Sequence, residues 1–378
     1  MICDDSAVVR GALARALQGE PEIEIVARVG NGAEAVAEVA RLVGLSTPVD
    51  VLLLDIEMPV MDGMQALPLL LRADPKLLVV MASTQTTRGA DIALRALRMG
   101  AADYIAKPSV ADVVGGGFGR ELIAKLVGLT RLRRRASPPL TQAPLTQAPL
   151  TQAPLTQAAL TQAALIQSAH PPLALRPPPR LPPLLVAIGS STGGPQALFT
   201  LLPLLGAAFP LPVVLTQHMP ASFTGIFASH LSKLGGMPCA EAVDSEPLLP
   251  GRLFLAPGGR HLLVDGAPGS LRARISDDPP ENFCRPSVDP MLRSAAAACD
   301  GRVLVVMLTG MGQDGLRGAG CVVNAGGSAL AQDEASSVVW GMPGAIARAG
   351  LCHQVLPVPA IAAKLRAMVR PTRIGAAA

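Results

Sequence analysis

The sequence predicts an α/β protein made of two doubly wound parallel-sheet domains joined by a linker. Three observations carry that expectation. Short Val/Ile/Leu-rich runs alternate with helical patterns in both halves of the chain, as buried parallel strands and their crossover helices do. A repetitive, proline-rich stretch separates the halves. In each half, polar residues able to do chemistry stand where apolar runs end, and such sheets bind ligands beyond the carboxyl ends of their strands.

The first half justifies its elements in order. Ser6 can cap a helix over SAVVRGALARALQ; EIEIVARV reads as a strand and NGAEAVAEVARLV as a helix. VLLL is a strand ending at Asp55. LLVVMA, the helix GADIALRALRM stopped at Gly100, the strand DYIA and the amphipathic helix ELIAKLVGLTRL follow. The basic cluster Arg131 to Arg135 suits the C-terminus of that last helix, where cations oppose the macrodipole.

The centre of the chain has no such pattern. Leu140 to Pro154 is three LTQAP pentads, followed by LTQAA pentads decaying to LIQSA at Ala169, then by HPPLALRPPPRLPP to Pro183. A five-residue period matches neither helix nor strand, and the prolines remove backbone donors. Residues 138–183 therefore read as a disordered linker between domains at 1–137 and 184–378.

Bulk properties narrow the function. The formal charge of +4 is too small to imply a nucleic-acid partner. No uninterrupted apolar run of about 18 residues exists to insert into a membrane. The N-terminus lacks the basic and apolar regions of a secretory signal, so a soluble, cytoplasmic protein is expected. The six cysteines form no CxxC pair and read as reduced thiols.

Two groups of residues carry chemistry. In the first half, Asp4, Asp5 and Asp55, with Lys107, stand at strand ends; clustered carboxylates repel unless a cation neutralises them, and hard oxygen ligands favour magnesium. In the second half, LLVAI runs into GSSTGG at Ser190 and Ser191, LPVVLTQ into His218, and VLVVMLT into GMGQDG at Asp314. A nucleophile, a base and an orienting acid could converge there. A Gly-rich strand-to-helix turn could also cradle phosphate, although GSSTGG is neither GxGxxG nor GxxxxGK[ST]. The order Ser, His, Asp differs from the α/β-hydrolase, chymotrypsin and subtilisin orders. A DNA-binding output domain would need a basic recognition helix that 184–378 lacks.

DDSAVVR, LLLDIEMPVMDG, the Ser/Thr pair after LLVVMA, and DYIAKP resemble a response-regulator receiver domain. AIGSSTGGPQAL, TQHMPASFT, LFLAPGGRHL, RPSVDPML, VMLTGMGQDG and AQDEASSVVWGMPGAI resemble, in order, the catalytic domain of the chemotaxis protein-glutamate methylesterases, the CheB family. The resemblance implies a flavodoxin-like receiver and a Rossmann-like three-layer αβα catalytic domain. In the receiver it implies that Asp55 accepts a phosphoryl group from a chemotaxis histidine kinase. Asp4, Asp5, Asp55 and the Glu57 carbonyl would hold Mg2+; Lys107 would pair with the phosphoryl oxygens, and Ser83 and Tyr104 would take the switch positions. In the second domain it implies Ser191 as nucleophile, His218 as general base and then acid, Asp314 orienting the imidazole, and the Met311 N–H in the oxyanion hole. His261, Arg285 and Met342 are expected to line or support the site.

The substrates so implied are methyl-accepting chemotaxis receptors, demethylated at glutamate and deamidated at glutamine, with no cofactor for ester hydrolysis. A catalytically inactive receptor-binding scaffold is the alternative. The family places a strand of about five residues before the paired acids where this chain has Met1, Ile2 and Cys3, so the natural chain is expected to start upstream.

Overall fold

The computed structural model describes residues 1–84, 86–107, 117–136 and 173–369. In the first half, β1 (Ile2–Cys3), β2 (Arg28–Val29), β3 (Val51–Asp55), β4 (Leu78–Ser83) and β5 (Asp103–Ala106) form one sheet. Its order is β2-β1-β3-β4-β5, with every pairing parallel. The runs VLLL, LLVVMA and DYIA are thus strands, as expected.

The helices begin where their capping chemistry says they should. Helix α1 (Ala7–Ala16) starts at Ser6, whose hydroxyl accepts from Val9 N–H. Helix α2 (Gly32–Gly44) starts at Asn31, which accepts from Glu34 N–H. Helix α3 (Gly63–Ala73) opens with a reciprocal box between Asp62 and Gln65. Helix α4 (Thr87–Arg98) starts two residues before the expected GADIALRALRM, because Thr86 supplies the cap. Helix α5 spans Gly117–Ala136, and the side chains of the basic cluster after Arg131 lie outside the described residues.

One element is shorter than its pattern. EIEIVARV yields only β2, since β1 offers two ladder positions, Ile2 opposite Arg28 and Cys3 opposite Val29. Residues 23–26 therefore have no strand to pair with, despite their alternation. The Met1 ammonium donates to Val51 O at 2.8 Å, and burial holds its pKa down to about 6.

The second half contains β6 (Leu185–Ser190), β7 (Val213–Gln217), β8 (Cys239–Glu241), β9 (Leu253–Leu255), β12 (Val303–Met307), β13 (Ser328–Gln332) and β14 (Gln354–Leu356). They form a parallel sheet in the order β14-β13-β12-β6-β7-β9-β8. A separate antiparallel pair, β10 (His261–Asp265) and β11 (Arg272–Ser276), flanks it. Helices α6 (Gly194–Leu205), α7 (Ala221–Ser232) and α11 (Val358–Val369) cover one face. Helices α8 (Val288–Ala298), α9 (Leu316–Asn324) and α10 (Met342–Arg348) cover the other.

The central strands explain the layering. Val186, Ile188, Val213 and Leu215 point into one core, while Leu185, Ala187, Val214 and Val305 point into the other. Strands buried on both faces read as continuous apolar runs, which is the pattern seen in the sequence. Strand order reverses at β6, with β12 on one side and β7 on the other. Its carboxyl end is therefore the topological switch point, where such folds open a crevice.

The LTQAP repeats, and residues 138–172 of the expected linker as a whole, lie outside the described residues. Residues 173–183 run along the second domain. Arg176 donates from its backbone N–H to Cys352 O (2.8 Å) and from Nε to Gly350 O (3.0 Å). Arg302 Nε donates to Pro182 O (3.0 Å).

Candidate functional site

At the end of β6 the two serines separate. Ser190 is fully buried, and its hydroxyl donates to Gln217 Oε1 at 2.7 Å. Ser191 is only half-buried and lines a cavity of about 420 Å³ together with Gln217, His218, Cys284 and Arg285. The following glycines permit this path. Gly193 has φ +75°, and a Cβ on Gly194 would overlap Gln217 Oε1.

Strand β7 delivers His218 to the same cavity, with the His218 N–H donating to Ser190 O at 3.0 Å. Gln217 Nε2 ties the two segments together, donating to Ser191 O (2.9 Å) and His218 O (3.1 Å). His218 Nε2 lies 2.8 Å from Asp314 Oδ2. An ionised carboxylate can only accept, so Nε2 carries a proton and Nδ1 is the nitrogen left for the cavity. No hydrogen bond joins Ser191 to the imidazole, although both line the cavity.

Asp314 is buried and densely held. Oδ1 accepts from Asn282 Nδ2 (2.7 Å), Ser287 Oγ (2.7 Å), Asp289 N (3.2 Å) and Gly315 N (2.9 Å). Oδ2 accepts from His218 and from Val288 N (2.7 Å). Burial alone would push its pKa up, but the hydrogen bonds from His218, Val288 and Ser287 outweigh it and hold the carboxyl at about 2. For His218 burial opposes charge, yet Asp314 and Cys284 win and raise the imidazole well above its ordinary value.

Met311 lies in the loop beside Ser191, and its backbone N–H has no hydrogen-bond partner among the described residues. A Cβ on the adjacent Gly310 would crowd Ser191 Cβ and overlap Met342 Sδ, so this loop needs glycine to approach the serine. Met342 packs against it, and its N–H donates to Gly310 O at 2.8 Å. His261 is buried outside the cavity, its Nδ1 accepting from Ser287 N–H at 3.2 Å. Arg285 lines the cavity while donating to Asp277 O and Asp278 O.

In the first domain, carboxylate oxygens of Asp4, Asp5 and Asp55 lie within 4.8 Å of one another. Lys107 Nζ bridges two of them, 2.9 Å from Asp4 Oδ2 and 2.7 Å from Asp55 Oδ2. Burial raises the Asp55 pKa, with Lys107 opposing and Asp4 adding to the rise. Glu57 and Ser83 line the same small cavity as Asp5, Asp55 and Lys107, and Glu57 N–H donates to Asp55 Oδ1 (3.4 Å).

Residues 186–365 match the family model for the CheB methylesterase, and residues 1–114 that for the response regulator receiver domain. The protein-glutamate methylesterase/protein-glutamine glutaminase of Azospirillum brasilense is 50% identical over 375 residues, covering 97% of this chain and 91% of that relative. The corresponding protein 1 of Paramagnetospirillum magneticum is 50% identical over 367 residues, covering 96% and 93%. The crystal structure of the Thermotoga maritima CheB methylesterase catalytic domain is 38% identical, covering 50% of this chain and 100% of that one, with a TM-score of 0.48.

This chain belongs to the CheB methylesterase family.

The two domains touch each other in this structure. The Tyr104 ring stacks on Phe223 at 4.9 Å and 13°. Asp103 Oδ2 accepts from Gly193 N–H at 3.2 Å, at the start of α6 close to Ser191, and is neutralised by Lys125 at 3.2 Å. Gln196 Nε2 donates to Leu97 O (2.9 Å) and Ala101 O (2.6 Å). His230 Nε2 meets Asp91 Oδ1 at 2.9 Å. The cavity lined by Ser191 and His218 is consequently walled on one side by Asp103, Tyr104, Lys107 and Lys125.

Sequence reasoning missed Asn282, Cys284, Ser287, Gln217 and Asp103. Ser287 lies inside the quoted motif RPSVDPML, and Gln217 directly precedes the histidine. Asp103 opens the strand DYIA and reads there as an ordinary strand-end acid.

Proposed function

We propose that this chain is a phosphorylation-regulated protein-glutamate methylesterase that works by acyl transfer through Ser191, His218 and Asp314. Its substrates are methyl-esterified glutamates of methyl-accepting chemotaxis receptors. A receptor glutamine, which presents the same γ-carbonyl with an amide leaving group, is deamidated in the same site.

Ser191 Oγ attacks the γ-carbonyl carbon while His218 Nδ1 takes its proton. Asp314 accepts the Nε2 proton's hydrogen bond and stabilises the imidazolium that forms. The free Met311 N–H stabilises the oxyanion. The tetrahedral intermediate collapses as His218 protonates the departing methoxide, giving methanol, or the departing amide nitrogen, giving ammonia. Water then attacks the acyl-enzyme, His218 accepts one of its protons, and the glutamate carboxylate leaves as Ser191 recovers its hydrogen. The observation that carries this reading is the 2.8 Å His218–Asp314 pair bordering the cavity that Ser191 lines.

In the receiver, Asp55 accepts the phosphoryl group from a chemotaxis histidine kinase. Asp4, Asp5 and Asp55 supply hard oxygen donors at a spacing that fits Mg2+, with the Glu57 carbonyl nearby. Bound magnesium would offset the charge of phosphoryl and carboxylate oxygens. Lys107, now held by Asp4 and Asp55, pairs with the phosphoryl oxygens; Ser83 and Tyr104 take the switch positions. Tyr104 spans the two functions, because it stands on β5 and stacks against the catalytic domain. Among the described residues no helix is long and apolar enough to cross a membrane, and we place the reaction in the cytoplasm.

The test is methanol release from methylated receptor, with and without a small-molecule phosphodonor and magnesium. Wild type and Ser190→Ala release methanol, faster with the donor, whereas Ser191→Ala does not. Absence of release by wild type under both conditions would leave a receptor-binding scaffold as the better reading.

A further inference from the structure

One active-site side chain has no part in the triad. Cys284 Sγ lies 3.7 Å from His218 Nδ1, within the reach of a sulfur hydrogen bond, and lines the cavity with Ser191. Nδ1 is the nitrogen that must receive the serine proton, because Nε2 is committed to Asp314. Among the described residues, Cys284 is the side chain placed at hydrogen-bond distance from it, and Ser191 is not.

The backbone holds the thiol there. Glu281 and Cys284 exchange both backbone hydrogen bonds, N to O at 3.1 and 2.9 Å, closing a two-residue turn. Its central residues, Asn282 (φ 54°) and Phe283 (φ 62°), are both left-handed, a conformation non-glycine residues rarely adopt. Such a turn persists only where its surroundings over-determine it. Asn282 Nδ2 does this by donating to Asp289 Oδ2 (2.9 Å) and to Asp314 Oδ1 (2.7 Å). The carboxylate that orients the imidazole through Nε2 thus also anchors the turn that presents a thiol to Nδ1.

We propose that Cys284 is a positioning residue for the general base: its thiol engages His218 Nδ1 and competes with Ser191 for that nitrogen. The inference rests on the esterase reading above. With the ring protonated the sulfur accepts from Nδ1–H, which favours the imidazolium, in keeping with the contribution of Cys284 to the raised His218 pKa. The other charged groups around the ring are Asp314 on its Nε2 side, Asp289 behind Asn282, Arg285 on the same loop, and Asp103, Lys107 and Lys125 across the cavity. None of these occupies Nδ1.

The decisive measurement is the pH profile of kcat/KM for methanol release by the full chain. Cys284→Ala moves the acid limb to lower pH by about half a unit or more, because one interaction favouring the imidazolium is gone. Cys284→Ser, which keeps an acceptor of shorter reach, falls between the two. An acid limb unmoved in both variants overturns the proposal, whatever the rate. Iodoacetamide provides an independent arm: carboxamidomethylation of Cys284 lowers wild-type activity more than tenfold while Cys284→Ala retains it, and equal inactivation of both overturns it. A wild type that releases no methanol refutes the esterase reading instead, so the two failures are distinct.

Discussion

Asp55 and Asp314 are both buried carboxylates near the carboxyl ends of parallel strands, yet the protein treats them oppositely. Asp314 accepts from six donors supplied by His218, Asn282, Ser287, Val288, Asp289 and Gly315. Asp55 faces another buried acid, Asp4, and has the Lys107 ammonium as its main compensation. Hydrogen bonds pull the first carboxyl down against burial; burial, aided by Asp4, pushes the second up against Lys107. On the reading proposed above, a carboxylate whose task is to hold an imidazole is saturated with donors and stays ionised. One whose task is to take up a cation and a phosphoryl group is left short of donors and reactive.

The largest effect expected from breaking this contrast is on catalysis. Asp314→Asn keeps the shape but replaces an acceptor with an amide that can turn its NH2 towards Nε2, favouring the wrong tautomer. The expected fall in kcat is roughly 10³- to 10⁴-fold, measured as methanol release at saturating receptor. The same residue also has a stability signature. Its folded pKa of about 2 lies below its unfolded value of 3.8, so its contribution is present above about pH 4 and is lost as pH falls through 2. Acid unfolding of the Asn variant lacks that component of the slope; an unchanged slope would mean that Asp314 is not the acid so strongly held.

A smaller effect tests how the two sites are joined. Gln196 donates two hydrogen bonds from α6 to backbone carbonyls of the first domain, and it lies outside the cavity lining. At about 1 kcal/mol each, their loss in Gln196→Ala shifts docking towards the open arrangement by roughly tenfold to thirtyfold. Methanol release without phosphodonor should rise, while the rate with donor changes little. A basal rate equal to wild type would show that these contacts do not restrain the catalytic domain.

Much of this was legible beforehand because the strands are buried on both faces, leaving unbroken apolar runs that end in the polar residues of each site. VLLL, LLVAI and VLVVMLT all became strands, and the helix caps at Ser6 and Asn31 formed as their side-chain chemistry requires. EIEIVARV failed as a full strand because alternation reports a half-buried face and not the presence of a pairing partner. The residues alone could not separate Ser190 from Ser191; the difference lies in Gln217, 27 residues from Ser190, which engages one hydroxyl and leaves the other at the cavity. The turn carrying Cys284 was invisible for a related reason. Asn-Phe is not a pair that announces left-handed backbone, and only the contacts of Asn282 with Asp289 and Asp314 impose it.

The smallest predicted effect isolates the cost of leaving Asp55 short of donors. Its folded pKa is raised above the unfolded 3.8, so ionising it destabilises the fold progressively as pH climbs through that window. The penalty is complete once pH exceeds the raised folded value, and Asp55→Asn should remove it while Lys107 keeps its 2.9 Å partner in Asp4. The receiver transition in a thermal melt at pH 7 should therefore rise. Below the unfolded pKa both proteins carry a neutral group at this position, so the gain should vanish near pH 3. A variant that melts lower than wild type at pH 7 would show that the Lys107–Asp55 pair outweighs burial, reversing the contrast with Asp314.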